Sequence, residues 1–198
     1  MYKAIGFDFG GVLNHGRPIM PGFSEITGIP KDELREYYLR HNHLANVGSM
    51  SYEELWTKVV SDLGHADKAE RIIEHMHQQH SEEYDDRMLK LIDELRYKGY
   101  KTGLLSNNSK QNAEILRKKG LEKHFDVFLI SAEIGVQKPD PDAFIMLSKG
   151  LGVEPQEMIF VDDSESSLRL ADKIGYHPIL FSNYEDFRTE LVDLNILI

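Results

Sequence analysis

Four short segments carry side chains suited to holding ions. In Phe7-Asp8-Phe9-Gly10-Gly11-Val12-Leu13 a carboxylate ends an apolar run and meets two glycines, which leave backbone N–H groups open beside it. In Leu105-Ser106-Asn107-Asn108-Ser109 an apolar run ends in small hydroxyl and amide groups, which can donate several hydrogen bonds to an anion. In Gln137-Lys138-Pro139-Asp140-Pro141 the backbone restrictions of two prolines can aim the Lys138 charge into a cleft. In Ile159-Phe160-Val161-Asp162-Asp163-Ser164 two adjacent acids follow an apolar run, an unfavourable pairing at a partly buried edge unless a cation is present. Each segment also has a plainer reading. Asp8 can be a charged strand end before a turn, Asn108 or Ser109 a helix N-cap, and Lys138 a solvated side chain. Asp163 or Ser164 can cap a helix, which leaves the second acid unexplained.

These segments need elements to position them. Short runs rich in branched and aromatic residues at 4–9, 100–105, 127–130, 158–161 and 178–181 predict buried strands. Between them lie helical patterns. Met88, Leu91, Ile92 and Leu95 share one face of a helix over 85–98, with Gly99 as its stop. Asp140-Pro141 reads as an N-cap with proline at the first helical position, and Leu168, Ala171 and Ile174 form another face closed by Gly175. Alternation of this kind predicts an α/β fold, a Rossmann-like parallel sheet with helices on both faces. In such sheets ligands sit beyond the carboxyl ends of the strands, where all four segments fall in order.

One interval breaks the rhythm. About ninety residues separate Phe9 from the run near Leu104, where a βαβ unit needs about thirty. The excess predicts an inserted all-helical cap over residues 15–84, within a core made of 1–14 and 85–198. Helical patterns near 31–42, 52–63 and 66–80 fill it, and Ser51 with Glu54 forms a capping-box pattern.

Composition narrows the partners. The chain has 198 residues, 33 acidic and 23 basic, a net charge of -10 and 41% apolar residues, enough for one to two domains with a real core. The acidic balance argues against nucleic acid and anionic membrane surfaces as partners. The absence of cysteine removes disulfides, thiolate catalysis and cysteine metal sites, and suits a reducing compartment. An acid within the first eight residues, no signal-peptide core and no membrane-length apolar run predict a soluble, cytoplasmic protein, monomeric or homodimeric.

With the four motifs in order and the insertion after the first strand, the chain resembles the haloacid dehalogenase-like hydrolase superfamily. The resemblance implies a Mg²⁺-dependent phosphatase acting on a small phosphorylated metabolite, such as a sugar phosphate, through an aspartyl-phosphate. It assigns Asp8 as nucleophile. It assigns Asp8, the Gly10 carbonyl and Asp163 as Mg²⁺ ligands, with Asp162 behind them or bound through water. Lys138 would neutralise charge, and Ser106 with the Asn107 N–H would hold phosphoryl oxygens. The chain departs from the family pattern at Gly10, where phosphatases of the family usually carry a second Asp as acid/base. Its loss typically costs about 10²–10⁴-fold in rate. Asn14, His15, His41 and His43 are candidate replacements, unless the substrate has a good leaving group, such as a sugar 1-phosphate or an acyl phosphate. Two alternatives accompany this reading. One is a metal-independent 2-haloacid dehalogenase, against which the Asp162-Asp163 pair speaks. The other is a catalytically weak protein of the same fold that binds a phospho-ligand or regulates a partner.

Other residues have simpler explanations. Glu74, His75, His77 and His80 lack the i, i+4 spacing of a helical zinc pair and read as a solvated helix face. Leu55, Trp56, Val59 and Val60 fit a core for the insertion. Tyr37, Tyr38 and Arg40 suit either the substrate side of the cap or packing between helices. The C-terminal Leu191, Val192, Leu194, Ile196, Leu197 and Ile198 suit a cover for the sheet.

Overall fold

The computed structural model describes residues 1–14, 19–78 and 84–197. The strands are β1 (Ala4–Phe7), β2 (Lys101–Ser106), β3 (Val127–Ile130), β4 (Met158–Asp162) and β5 (His177–Leu180). They form one sheet in the order β3-β2-β1-β4-β5, with every pair parallel. Alternate residues feed opposite faces. Ile5, Phe7, Leu104, Ile159 and Val161 enter one buried cluster, and Ala4, Leu105, Met158 and Phe160 the other. Burial on both faces is why β1, β2 and β4 read as continuous apolar runs.

Between β1 and β2 run α1 (Ile19–Thr27), α2 (Lys31–Asn46), α3 (Tyr52–Asp62), α4 (Ala69–Gln78) and α5 (Asp86–Tyr97). α5 packs on the sheet through Met88, Leu91, Ile92 and Leu95. The first four helices surround their own core, which includes Phe23, Leu34, Leu55, Trp56, Val59, Val60 and Ile72. Trp56 is its centre: Phe23 meets it edge-on at 4.4 Å and Tyr38 stacks on it at 5.2 Å. Tyr37 also packs there, with Arg40 over its ring, so these residues serve helix packing. The Ser51–Glu54 capping box starts α3.

After β2 come α6 (Lys110–Lys118), β3, α7 (Ser131–Ile134) and α8 (Pro141–Leu151); after β4 come α9 (Glu165–Leu168), α10 (Ala171–Ile174), β5 and α11 (Tyr184–Asp193). Asp140 caps α8 by accepting the Asp142 N–H, with Pro141 opening the helix. Leu191, Ile196 and Leu197 bury in the main cluster, so the C-terminal apolar stretch covers its own sheet; Ile198 lies outside the described residues. Among the described residues no helix is long and apolar enough to cross a membrane.

Four details differ from the sequence expectation. β1 ends at Phe7, although the Asp8 N–H still bonds to the Val161 carbonyl. α1 is an added helix, hidden in the sequence by Pro21 and Gly22 near its start. The pattern at 66–80 begins as a 3₁₀ turn at Ala66–Lys68 before α4. The single helix expected around Leu168–Ile174 is two four-residue pieces, parted where Leu170 leaves helical geometry at φ -106°, ψ 11°.

Candidate active site

Parallel pairing places the strand ends together. Phe7 registers with Leu104 and Val161, so Asp8 emerges between the ends of β2 and β4. Asp162 closes β4 and is fully buried. Lys138 reaches both acids from the loop before α8. Its Nζ lies 2.7 Å from Asp8 Oδ1 and 2.5 Å from Asp162 Oδ2, and only 2% of its side chain is exposed. The Phe160 ring centroid lies 5.2 Å from the same ammonium. The other Asp162 oxygen accepts the Ser164 N–H at 2.9 Å. Both Asp162 oxygens are therefore engaged by protein, which favours an orienting role for it.

Asp163 faces the loop after β1. Gly11 has φ +75°, and a Cβ there would meet Asp163 Oδ2 at 2.1 Å, so this crossing requires glycine. Gly10 is different: a Cβ there would meet nothing within 4 Å. Asp8, Asp162 and Asp163 offer oxygens that all lie within 4.8 Å of one another, the one such acidic or histidine group among the described residues. Three carboxylates against one ammonium leave two uncompensated negative charges, the complement of a divalent cation. The oxygen-only donor set also suits Mg²⁺, so the residues present fit that ion.

Burial pushes the Asp8 carboxyl up to about 6; Lys138 opposes the shift and Asp162 adds to it. Burial, then Asp162, also raises Asp163. A cation would relieve both effects.

Ser106 ends β2 and is nearly buried. With Asp8, Gly10, Asn107, Lys138 and Asp162 it lines an open pocket of about 150 Å³. The Asn107 side chain bonds to the backbone of Lys138. Asn108 also lines the pocket, whereas Ser109 accepts the Asn112 N–H and caps α6. Sequence reasoning missed Ser167, which lines the pocket together with Ser106 and Ser164. Its signal was position: it lies in the first turn of the helix that follows the Asp162-Asp163 pair.

Three of the four candidate replacements for the missing acid, Asn14, His41 and His43, are not part of this lining. Asn14 is buried, paired through its backbone with Gly10 and Tyr84. His41 lies 3.7 Å from Asp62 on α3, and His43 is exposed on α2. His15 lies outside the described residues, as does His80. His77 approaches Glu53 at 3.1 Å and His75 meets the Phe23 ring edge-on.

The chain is similar to several known proteins. The phosphorylated carbohydrates phosphatase of Thermotoga maritima is 23% identical over 184 residues, covering 89% of this chain and 83% of that protein. The glyceraldehyde 3-phosphate phosphatase of Methanopyrus kandleri is 36% identical over 84 residues, 41% of this chain and 36% of that protein. The chain spans only 10% of the mouse acyl-CoA dehydrogenase family member 10, to which it is 35% identical over 104 residues, and 20% of mouse bifunctional epoxide hydrolase 2. Among solved structures, a HAD-like family hydrolase from Porphyromonas gingivalis has TM-score 0.76 at 24% identity, covering 98% of each chain. A HAD family enzyme from Bacteroides thetaiotaomicron, solved with magnesium and inorganic phosphate, has TM-score 0.73 at 21% identity, covering 94% of this chain and 99% of that one. These likenesses are to the fold. The sequence profile of the haloacid dehalogenase-like hydrolases, however, matches residues 2–171, most of the sheet and all four strand ends. The chain belongs to the haloacid dehalogenase-like hydrolases.

Proposed function

We propose that the protein is a Mg²⁺-dependent phosphatase that hydrolyses a small phosphorylated metabolite through an aspartyl-phosphate at Asp8. One observation carries the reading: a buried Lys138 between Asp8 and Asp162, in an acidic cluster still two charges short of neutrality. Asp8 attacks phosphorus, the bond to the leaving oxygen breaks, and that oxygen departs with the electron pair. Water then attacks the acyl phosphate and returns Asp8 and inorganic phosphate. Lys138 offsets charge between Asp8 and the phosphoryl group. Ser106 and the Asn107 N–H hold its equatorial oxygens. A cation held by Asp8, the Gly10 carbonyl and Asp163 supplies charge neutralisation when bound. Asp162 keeps Lys138 oriented. Helices α1–α4 act as a cap that selects the substrate, residues 15–84 being one domain and 1–14 with 85–198 the other. Phosphatases of phosphorylated carbohydrates and of glyceraldehyde 3-phosphate among the relatives support a sugar or triose phosphate. The cysteine-free composition suits the cytoplasm as its compartment.

The acidic cluster disfavours a dehalogenase, which has no use for a cation. The test is phosphate release from p-nitrophenyl phosphate and a panel of sugar phosphates, with Mg²⁺ and with EDTA. Activity with Mg²⁺ that vanishes with EDTA and in Asp8→Asn is expected. Halide release from 2-chloropropionate without metal would overturn the reading, as would equal activity of wild type and Asp8→Asn.

A further inference from the structure

A lysine can bridge two acids only if its backbone is set first. Asn107 is placed to set it. The Asn107 Nδ2 donates to the Lys138 carbonyl at 2.9 Å, and the Lys138 N–H donates to Asn107 Oδ1 at 2.8 Å. A flipped amide would lose both bonds, so the pairing fixes the side chain's orientation. Asn107 itself is anchored by its neighbours. It follows Ser106 at the end of β2, and the next residue, Asn108, donates its N–H to Ser131 Oγ at 3.0 Å. The loop after β2 is thus fastened to the end of β3 on one side and to the lysine loop on the other.

We infer that the Asn107 side chain is a positioning residue: it holds the Lys138 backbone so that the ammonium meets Asp8 and Asp162, and it does not itself contact the phosphoryl group. The inference rests on the role proposed above for Lys138. It separates the two parts of Asn107, leaving phosphoryl contact to the backbone N–H and assigning the carboxamide to the lysine loop.

A double-mutant cycle tests it. Asn107→Ala, Lys138→Ala and the double variant are assayed with p-nitrophenyl phosphate and Mg²⁺, with inorganic phosphate as competitive inhibitor. Asn107→Ala is expected to lower kcat by roughly 10- to 100-fold, the scale of a misplaced reacting group. In the Lys138→Ala background it should change neither kcat nor the inhibition constant of phosphate. Asn107→Asp, which keeps the acceptor but loses the donor, should fall between wild type and Asn107→Ala. An equal loss in both backgrounds, or weaker phosphate inhibition with Lys138 already removed, would overturn the inference. Thermal unfolding of each variant separates these effects from loss of folded protein. If the wild type itself releases no phosphate, the proposed function fails on its own account. A crystal structure of Asn107→Ala still decides the clamp, and a Lys138 ammonium still bridging both acids would refute it.

Discussion

Position 10 has room for the acid that it lacks. A Cβ there meets nothing within 4 Å and its φ lies outside the left-handed region, so the backbone accepts a side chain at this position without a clash at Cβ. A carboxylic acid at that place can protonate a leaving oxygen, an effect worth about 10²–10⁴-fold when the leaving group is poor. Gly10→Asp is therefore expected to raise kcat for alkyl phosphates by at least about 10-fold, and to change p-nitrophenyl phosphate, whose leaving group needs no proton, much less. An equal factor on both substrates would mean that leaving-group protonation is not what this position lacks. Asp8 gives a second prediction, in pH. Its folded-state value of about 6 lies above the ordinary 3.8, so the folded form holds more protons between those values. Stability is thus full below about pH 4, falls as pH rises to about 6 and stays lower above, by about 3 kcal/mol. In EDTA, Asp8→Asn should melt above wild type at pH 7.5, with the gap closing by pH 4; Mg²⁺ should raise the wild-type melting temperature at pH 7.5. A constant gap across pH would show that Asp8 is not the group responsible. The meeting of Asp8, Asp162 and Asp163 was legible in the sequence because acids at the ends of apolar runs are conspicuous, and Lys138 stood out by the prolines beside it. The pairing of Asn107 with the Lys138 backbone was not, because loop geometry that brings a side chain to a backbone 31 residues away leaves no periodic signal.

The elements hold the site by close approach of α8 to the sheet. Gly6 of β1 and Gly103 of β2 are register partners, and together they open a gap that Leu147 of α8 fills. A Cβ on Gly103 would meet Leu147 Cδ1 at 2.6 Å, the far end of a flexible side chain. A Cβ on Gly6 would meet Leu147 Cδ2 at 2.8 Å and also the Phe160 ring at 2.6 Å. That ring is wedged by Phe144 at 5.1 Å and lies under the Lys138 ammonium, so it has little freedom to yield. Overpacking a core typically costs 1–3 kcal/mol. Gly6→Ala is expected near the top of that range, about 3 kcal/mol, and Gly103→Ala nearer about 1. Gly6→Ala should also lower kcat in the protein that remains folded, whereas Gly103→Ala should not. Urea titration and kinetics on both variants check this, and equal costs with unchanged kcat would refute the link from Phe160 to the site. At this scale the sequence was a good guide. Strands buried on both faces announce themselves as apolar runs, and the helix over 86–97 by its single face. It failed where local propensity opposes the result, as in α1 with its Pro21 and Gly22, and where a helix breaks at one residue, as at Leu170.

The whole molecule carries a net charge of -10, yet its proposed substrate is an anion. Lys138 and a bound dication would reverse the field in one pocket only, so a phosphate must be delivered to the strand ends and little else. All described residues lining that pocket come from the core, and in the proposed function the inserted helices take the rest of the substrate. On that proposal their seat on the core is a determinant of binding. It includes a hydrogen bond from Gln111 of α6 to Glu53 of α3, at 2.8 Å. It also includes Gly48, just past α2, pressed on the α7 backbone: with φ +74°, a Cβ there would meet the Ala132 carbonyl oxygen at 2.3 Å. Backbone cannot step aside as a side chain tip can, so Gly48→Ala should lift the end of α2 from the core. Gly64 is the control, since its φ is +81° but a Cβ there meets nothing within 4 Å. Both alanine variants bear the same left-handed strain, about 1 kcal/mol, while Gly48→Ala alone disturbs the seat. Gly48→Ala is expected to raise KM for a sugar phosphate by roughly 10-fold, the loss of about 1.4 kcal/mol of binding, with the inhibition constant of inorganic phosphate unchanged. Gly64→Ala should lower the melting temperature alone. If the two variants prove kinetically alike, or if phosphate inhibition weakens along with KM, the inserted helices do not divide the work with the strand ends in this way.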